Sequence, residues 1–288
     1  MPLDYIHVDV FSPKPYSGNS LAVFPEAGTL RIEQMLRITQ ELRHFESIFL
    51  ESTPGLPKTA RARVFDLFEE LPFAGHPIIG AAAVLHHLSG QSEPHAWRID
   101  LPSKTVSIIT QHTESGFYGL LDQGVPEFLG EVKECSLVAH AFSLSSEDLH
   151  PHLPLEVVST GLRYLIVPVK PGVLERARIL SDITNLLRSV NAQFAVLLDE
   201  SAVEARHWNN DGIVEDVATG SAAGTIGAYR LRHGLAIAGE TFLLSQGRFT
   251  GRPSTLRVQP NGTPDRVSTV KVGGDVTLVG RGTLEVLP

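Results

Sequence analysis

Two stretches of the sequence decide the fold: residues 62–77, ARVFDLFEELPFAGHP, and residues 205–222, ARHWNNDGIVEDVATGSA. Each opens with a short strand-like run, continues through an acidic pair, and reaches a glycine that precedes a helix rich in small residues. Gly75 follows Phe65 by ten residues, and Gly220 follows Trp208 by twelve. An internal repeat of this kind predicts two lobes of similar topology, with two unrelated strand–turn–helix units as the alternative.

The remaining pattern is mainly that of short strands, and few segments have helical periodicity. Helices are predicted over residues 30–42, 77–88, 174–190 and 222–233, and residues 270–279 predict a hairpin broken at Gly273-Gly274. We therefore expect an α+β protein with an N-terminal lobe over residues 1–125 and a C-terminal lobe over residues 126–269. The tail, residues 270–288, is expected to return to the first lobe.

Composition narrows the class of partner and the cellular location. The 288 residues carry a formal net charge of −8, and Lys and Arg are scattered, which argues against nucleic acid or an anionic membrane surface as a partner. The single cysteine, Cys135, rules out an intramolecular disulfide and fits a reducing compartment. Neither a signal peptide nor an apolar run long enough to span a bilayer is recognisable, so we expect a cytoplasmic protein.

The two glycine-led turns are the first candidate binding sites. A helix N-terminus offers unpaired N–H groups and the positive end of a dipole, so Gly75 and Gly220 could bind the carboxylate of a small substrate. Alternatively, the two glycines only permit tight turns. His76 and Asp216, at or just before these turns, are candidates for carrying a proton or holding an amine.

Glu46 is the third candidate, within the apolar segment His44-Phe45-Glu46-Ser47-Ile48-Phe49. Desolvation by such neighbours raises the pKa of a carboxyl group and suits it to acid/base catalysis near pH 7. An exposed glutamate on a strand is the alternative. The histidines lack partners at metal-ligand spacing, and a dinucleotide or phosphate-binding loop is not recognisable, so neither a metal nor a cofactor is expected.

Several of these segments closely resemble the motifs of the PhzF family, the phenazine-biosynthesis isomerase-like proteins. The similarity runs in order from about residue 5 to residue 285. It is carried by residues 71–77 (LPFAGHP), residues 215–222 (EDVATGSA), Ser17-Gly18-Asn19, Glu46-Ser47-Ile48-Phe49, Ser159-Thr160-Gly161-Leu162, Gln246-Gly247, Gly251-Arg252-Pro253 and Gly280-Arg281-Gly282.

This resemblance implies the diaminopimelate epimerase-like fold, with two pseudo-symmetric lobes, each a curved sheet or barrel around a central helix, and the site in the cleft between them. It implies a homodimer, no cofactor and a cyclic substrate such as a hydroxylated dihydroanthranilate. Carried over by position, Glu46 matches the general acid/base, and His76 and Asp216 match its polar partners. The substrate-binding positions are Gly75, Gly220, Ser221 and Asn19. Phe45 departs from the family pattern and could narrow the pocket.

Cysteine counting limits the mechanism further. Related racemases and epimerases on this fold use two cysteines, one on each face of the reacting carbon, and this chain has one. We therefore expect an isomerase in which Glu46 removes a proton from a small carboxylate-bearing molecule and returns it. An epimerase or lyase acting on an amino or hydroxy acid, or a non-catalytic small-molecule binder, is the alternative.

Overall fold

The computed structural model describes residues 2–56 and 58–288, and the chain divides into two compact units. Unit 1 comprises Met1–Asp122 and Gly273–Pro288, and unit 2 comprises Gln123–Val272. One strand, β17 (Arg266–Leu284), contributes residues to both units.

Over its described residues, unit 1 is a mixed sheet with two helices. Its strands and helices are β1 (Leu3–Val10), β2 (Asn19–Phe24), α1 (Ile32–Leu42), β3 (Glu46–Ser52), β4 (Thr59–Phe65), β5 (Glu70–Leu71), α2 (Gly75–Ser89), β6 (His95–Asp100), β7 (Thr105–Thr113) and β8 (Gly116–Asp122). Pairing runs β1–β2–β3–β4–β6–β7–β8, with the β2–β3 and β4–β6 pairs parallel. Because β17 pairs with both β1 and β8, the sheet closes into a barrel.

Helix α2 is buried on nearly every side and packs against β1, β2, β3, β6, β7 and β8. Small residues allow this close approach: a side chain at Gly80 would lie 2.5 Å from Leu21 Cδ2. Helix α1, in contrast, is amphipathic, and it covers an apolar cluster that includes Phe24, Phe49 and Phe65.

Unit 2 is a second mixed sheet with three α-helices. Its elements are β9 (Glu127–Val132), α3 (Cys135–Ala141), β10 (Leu155–Ser159), β11 (Arg163–Val169), α4 (Thr184–Ser189), β12 (Phe194–Asp199), β13 (Glu204–Trp208), β14 (Glu215–Asp216), α5 (Gly220–Arg232), β15 (Phe242–Gln246) and β16 (Ser254–Thr263). The short 3₁₀ helices of unit 2 are Ser146–Asp148, Val173–Glu175 and Arg248–Thr250. Pairing runs β9–β10–β11–β12–β13–β15–β16, parallel at β11–β12 and β13–β15. Helix α5 packs against β10, β11 and β16.

The two repeated segments have the same order of elements. β4, β5 and α2 follow one another in unit 1, and β13, β14 and α5 follow one another in unit 2. The helices begin at Gly75 and Gly220, as the sequence predicts.

The predicted helix over residues 174–190 is wrong: a 3₁₀ turn at Val173–Glu175 is separated from the short helix α4. Arg206 explains the break, because its guanidinium donates hydrogen bonds to the carbonyls of Leu174 and Ala177, which a continuous helix would use internally. Helix α4 then starts where the Asp182 carboxylate accepts a hydrogen bond from the Thr184 amide.

The predicted hairpin at Gly273-Gly274 is also wrong, because β17 runs through both glycines without turning. The glycines are required by close approach: a Cβ at Gly273 would lie 2.5 Å from the Tyr118 hydroxyl, and one at Gly274 would lie 2.4 Å from the Phe11 ring. An interior glycine in a strand indicates a turn or a close contact, and the sequence does not distinguish them.

This packing makes a testable prediction. Gly273→Ala is expected to lower the free energy of unfolding by roughly 1–3 kcal/mol, because the new methyl group also meets the rigid Gly119 carbonyl at 2.6 Å. Gly280→Ala is the matched control in the same strand, because a Cβ there would have no heavy atom of the described residues within 4 Å apart from its chain neighbours. Equal unfolding midpoints in denaturant for the two variants would contradict this explanation.

Candidate active site

Three of the predicted residues meet in unit 1. Glu46 Oε2 lies 3.5 Å from Nδ1 of His76, and the Asn19 side-chain amide is hydrogen-bonded to the same ring nitrogen at 3.4 Å. All three side chains are buried, with Glu46 8% and His76 3% exposed. The alternative reading of Glu46 as an exposed strand residue is therefore wrong.

The barrel explains how these residues come together. β2 and β3 are parallel neighbours, and Leu21 lies opposite Glu46. Asn19, two residues before Leu21, projects from the same face of the sheet, because side chains alternate along a strand. His76 is the second residue of α2. Two strand starts and one helix start thus place an amide, a carboxyl and an imidazole side by side.

This arrangement is suited to holding a proton. When Nδ1 of His76 carries a hydrogen, it faces the Glu46 carboxylate; when Nδ1 is bare, it accepts from the Asn19 amide. Whether Nδ1 of His76 is protonated or bare, the ring therefore has a partner: Glu46 in the first case and Asn19 in the second. A group that must both take and return a proton needs this property.

A second polar network surrounds Asp216 in unit 2. The Thr219 hydroxyl donates to Asp216 Oδ2 at 2.6 Å, and the Ala218 amide donates to Asp216 Oδ1 at 3.3 Å. The Gln246 side-chain amide donates to the Asp216 carbonyl at 2.9 Å and to the Thr219 hydroxyl at 3.0 Å. Asp216, Thr219 and Gln246 are all buried, so the carboxylate is held in one position.

The start of α5 is fixed by further contacts within unit 2. The Tyr164 hydroxyl and the Ser221 hydroxyl are 2.8 Å apart, and Gln123 Nε2 donates to the Gly220 carbonyl at 2.8 Å. Thr219, the N-cap residue of α5, makes no side-chain cap, because its hydroxyl is directed to Asp216. The N-cap of α2, Ala74, likewise makes no side-chain cap within the described part of the chain. Neither helix start is therefore capped by the side chain of its own N-cap residue.

The structure thus groups the predicted residues into two sets. Glu46, His76, Asn19 and Gly75 lie in unit 1, and Asp216, Gly220 and Ser221 lie in unit 2. Sequence reasoning missed the roles of Tyr164 and Gln123, which hold the start of α5. Gln246 entered only as part of a family-like Gln-Gly motif, and no local pattern indicated that it would bind Asp216 and Thr219.

Comparison with known proteins gives the family. The model of the phenazine biosynthesis-like proteins, PhzC-PhzF, matches residues 8–282. The chain belongs to this family. Trans-2,3-dihydro-3-hydroxyanthranilate isomerase from Pseudomonas chlororaphis is a PhzF-type relative that is 29% identical, over 97% of this chain and 98% of its own length. The prediction that the chain is an enzyme of the PhzF isomerase type is confirmed by such relatives.

Solved structures of PhzF-type and epimerase proteins share the fold. A predicted epimerase from Pseudomonas aeruginosa is 48% identical with a TM-score of 0.93, covering 99% of both chains. A PhzF-family phenazine biosynthesis protein from Bacillus anthracis, 24% identical with a TM-score of 0.84 over 99% of this chain and all of its own, shows the fold alone. Within residues 2–56 and 58–288, no helix has the length and apolar character that crossing a bilayer requires.

Proposed function

We propose that this PhzF-family protein is a cofactor-independent isomerase that moves a proton on a small, carboxylate-bearing cyclic amino or hydroxy acid. Glu46 is the general acid/base. The observation that carries the proposal is the buried contact of Glu46 with His76, whose ring nitrogen also meets Asn19. A carboxyl held in this way can remove a proton from carbon and deliver it to a second carbon on the same face of the substrate.

The remaining residues supply the binding of the substrate in this proposal. The starts of α2 and α5, at Gly75 and Gly220, are suited to a carboxylate, because helix N-termini attract anions. Ser221 adds a hydroxyl and Asp216 an acceptor for a substrate amine or hydroxyl group. In this proposal the two lobes are pseudo-symmetric, and each surrounds a central helix.

An epimerase is the second candidate, favoured by the 48% identity to the predicted epimerase from Pseudomonas aeruginosa. The two reactions differ in where hydrogen returns. An isomerase of the proposed type places it on a different carbon, whereas an epimerase returns it to the same carbon with inverted configuration. With one cysteine in the chain, a two-thiol epimerase mechanism is excluded, and an epimerase here would need a different second acid.

A solvent-exchange screen tests the proposal. Purified protein is incubated in D₂O with trans-2,3-dihydro-3-hydroxyanthranilate, the substrate in the names of several relatives, and with a panel of cyclic amino and hydroxy acids. We expect deuterium to appear in one product at a carbon that did not carry the proton before. Exchange at a single stereocentre with inversion would favour the epimerase, and binding without exchange or conversion across the panel would favour a non-catalytic binder.

Independence from metals and cofactors is a separate prediction. Exhaustive chelation is expected to leave turnover unchanged, because the proton transfer is assigned to Glu46 and His76. The measurement is turnover before and after dialysis against EDTA, with metal content determined by mass spectrometry. Loss of activity that returns on adding one metal would contradict the mechanism in which Glu46 and His76 alone transfer the proton.

The homodimer and the cytoplasmic location are also proposals. The homodimer follows from the resemblance, and the location follows from the composition.

A further inference from the structure

A polar network in unit 1 joins β1, the start of β2 and the connection that leads into β3. The Ser20 hydroxyl is its centre, because Oγ lies 2.8 Å from Nε2 of His7 and 2.8 Å from Nδ1 of His44. The two imidazole rings are 4.6 Å apart and packed edge to face. His44 lies two residues before Glu46, so one hydroxyl links β2 to the segment that carries the candidate acid/base.

This network and the candidate site lie on opposite faces of β2. Leu21 projects into the barrel, because a Cβ at Gly80 of α2 would lie 2.5 Å from Leu21 Cδ2. Side chains alternate along a strand, so Asn19 shares the inner face with Leu21, and Ser20 projects from the outer face. Asn19 thus contacts His76 on one face, and the next residue, Ser20, makes its contacts on the other.

The contact of Ser20 with His44 holds the short connection that leads to Glu46. Arg43, at the end of α1, has a left-handed backbone conformation with φ of 58°, and the chain then turns toward β3. The pairing of β2 with β3 begins at Leu21, which lies opposite Glu46. Because His44 precedes this pairing, its bond to Ser20 extends the connection between the two strands beyond their first paired residues.

Asp9 determines the direction of the hydrogen bonds. A hydroxyl has one hydrogen, so Ser20 donates to one imidazole and accepts from the other. Asp9 lies opposite Ser20 in the pairing of β1 with β2; its Oδ1 is 3.9 Å from Nε2 of His7, and its side chain is 1% exposed. A buried carboxylate at this distance favours a hydrogen on Nε2 of His7. That nitrogen therefore donates to Ser20, and the Ser20 hydroxyl donates to Nδ1 of His44.

We propose that Ser20 is a positioning residue for Glu46 that acts through His44, while His7 and Asp9 fix the orientation of its hydroxyl. The network holds the entry of β3 against β2, and it thereby keeps the Glu46 carboxyl beside the imidazole of α2. Small displacements of a catalytic group slow a reaction strongly, so a link of this kind matters for turnover. The inference deepens the proposed function, on which its catalytic meaning rests.

Nuclear magnetic resonance of the histidine side chains tests this without a substrate. Protein labelled with ¹⁵N and ¹³C in histidine is studied at about pH 8, where an unperturbed imidazole is neutral. The His44 and His76 signals are identified by their loss in His44→Gln and His76→Gln. We expect the neutral His44 ring to be protonated at Nε2, with Nδ1 as acceptor. We also expect the His76 signals to shift in Ser20→Ala and to return in Ser20→Thr, which restores the hydroxyl.

Ser47→Ala is the matched control. Ser47 follows Glu46 directly and is fully buried, but its hydroxyl has no hydrogen-bond partner among the described residues. Ser47→Ala should therefore shift the His76 signals less than Ser20→Ala does. Three results would overturn the inference: a neutral His44 ring protonated at Nδ1, a His76 shift in Ser20→Ala no larger than in Ser47→Ala, or a shift that Ser20→Thr does not reverse.

Turnover provides a second test once solvent exchange has identified a substrate. Ser20→Ala is expected to lower kcat by about 10- to 10²-fold, a loss typical of a misplaced catalytic group. KM should be nearly unchanged, because the helix starts at Gly75 and Gly220 belong to other elements, and Ser20→Thr should restore kcat. An unchanged kcat in Ser20→Ala would overturn the inference. If the unmutated protein converted none of the compounds, the proposed function would fail, whereas the His76 signals would still decide the role of Ser20.

Discussion

Glu46→Gln is expected to lower turnover by about 10²–10⁴-fold, the contribution typical of a positioned acid/base. Glutamine keeps the shape of the side chain and a carbonyl oxygen toward His76, but it cannot take a proton from carbon. Since the helix starts at Gly75 and Gly220 are unchanged, ligand binding should survive. Turnover would be measured on the compound identified by solvent exchange, and binding by titration calorimetry.

Glu51→Gln provides the matched control for this experiment. Glu51 lies on the same strand, β3, but it is exposed and pairs with Arg61 at 3.5 Å. Its substitution should leave turnover within about twofold, because an exposed ion pair contributes little to the structure. If Glu46→Gln kept near-normal turnover, the catalytic assignment would be wrong, and a base elsewhere in the chain would have to be sought.

Glu215→Gln is expected to cause a large loss of stability, on the order of 3 kcal/mol or more, because it leaves a buried guanidinium without a counter-charge. Arg206 binds both carboxylate oxygens of Glu215, at 2.8 and 2.6 Å, and its side chain is 4% exposed. The guanidinium also lies over the rings of Trp208 and Phe249. Denaturant unfolding monitored by tryptophan fluorescence would report the loss, since Trp208 is in contact with the pair.

The first repeat offers a control built from the same residue types. Arg63 pairs with Glu70 at 3.0 Å, but the Arg63 side chain is 41% exposed. Glu70→Gln should therefore lower the free energy of unfolding by less than about 1 kcal/mol, because water can replace the carboxylate as the partner of Arg63. If Glu70→Gln and Glu215→Gln lowered the free energy of unfolding by similar amounts, burial would not explain the importance of the Arg206–Glu215 pair.

The sequence predicts the parts of this protein that depend on local chemistry. The repeat around Arg63 and Arg206 leads to helices that begin at Gly75 and Gly220, because a glycine before a run of small residues is a local signal. Glu46 and His76 are candidates from their local sequence as well as from the resemblance, Asn19 from the resemblance alone, and the structure brings the three together. That they perform the chemistry stays a prediction for the turnover experiment.

The features that the sequence missed depend on contacts far along the chain. Gln246 binds Asp216 and Thr219 about thirty positions earlier, and Arg206 ends a predicted helix by bonding Leu174 and Ala177. The glycine at position 273 of β17 is required by its close approach to Tyr118. Periodicity and propensity report on neighbours within a few residues, so contacts of this kind leave no local pattern.

The path of β17 has a consequence for the order in which the protein can fold during synthesis. β1 precedes unit 2 in the chain, whereas the residues of β17 that pair with it, Val276–Leu284, follow unit 2. All of unit 2, Gln123–Val272, is therefore translated before the barrel of unit 1 can close. Although domains usually fold in the order of their synthesis, here the second unit can be complete while the first still exposes the edge of β1. A chain truncated after Val272 should accordingly protect unit 2, but not β1, from protease.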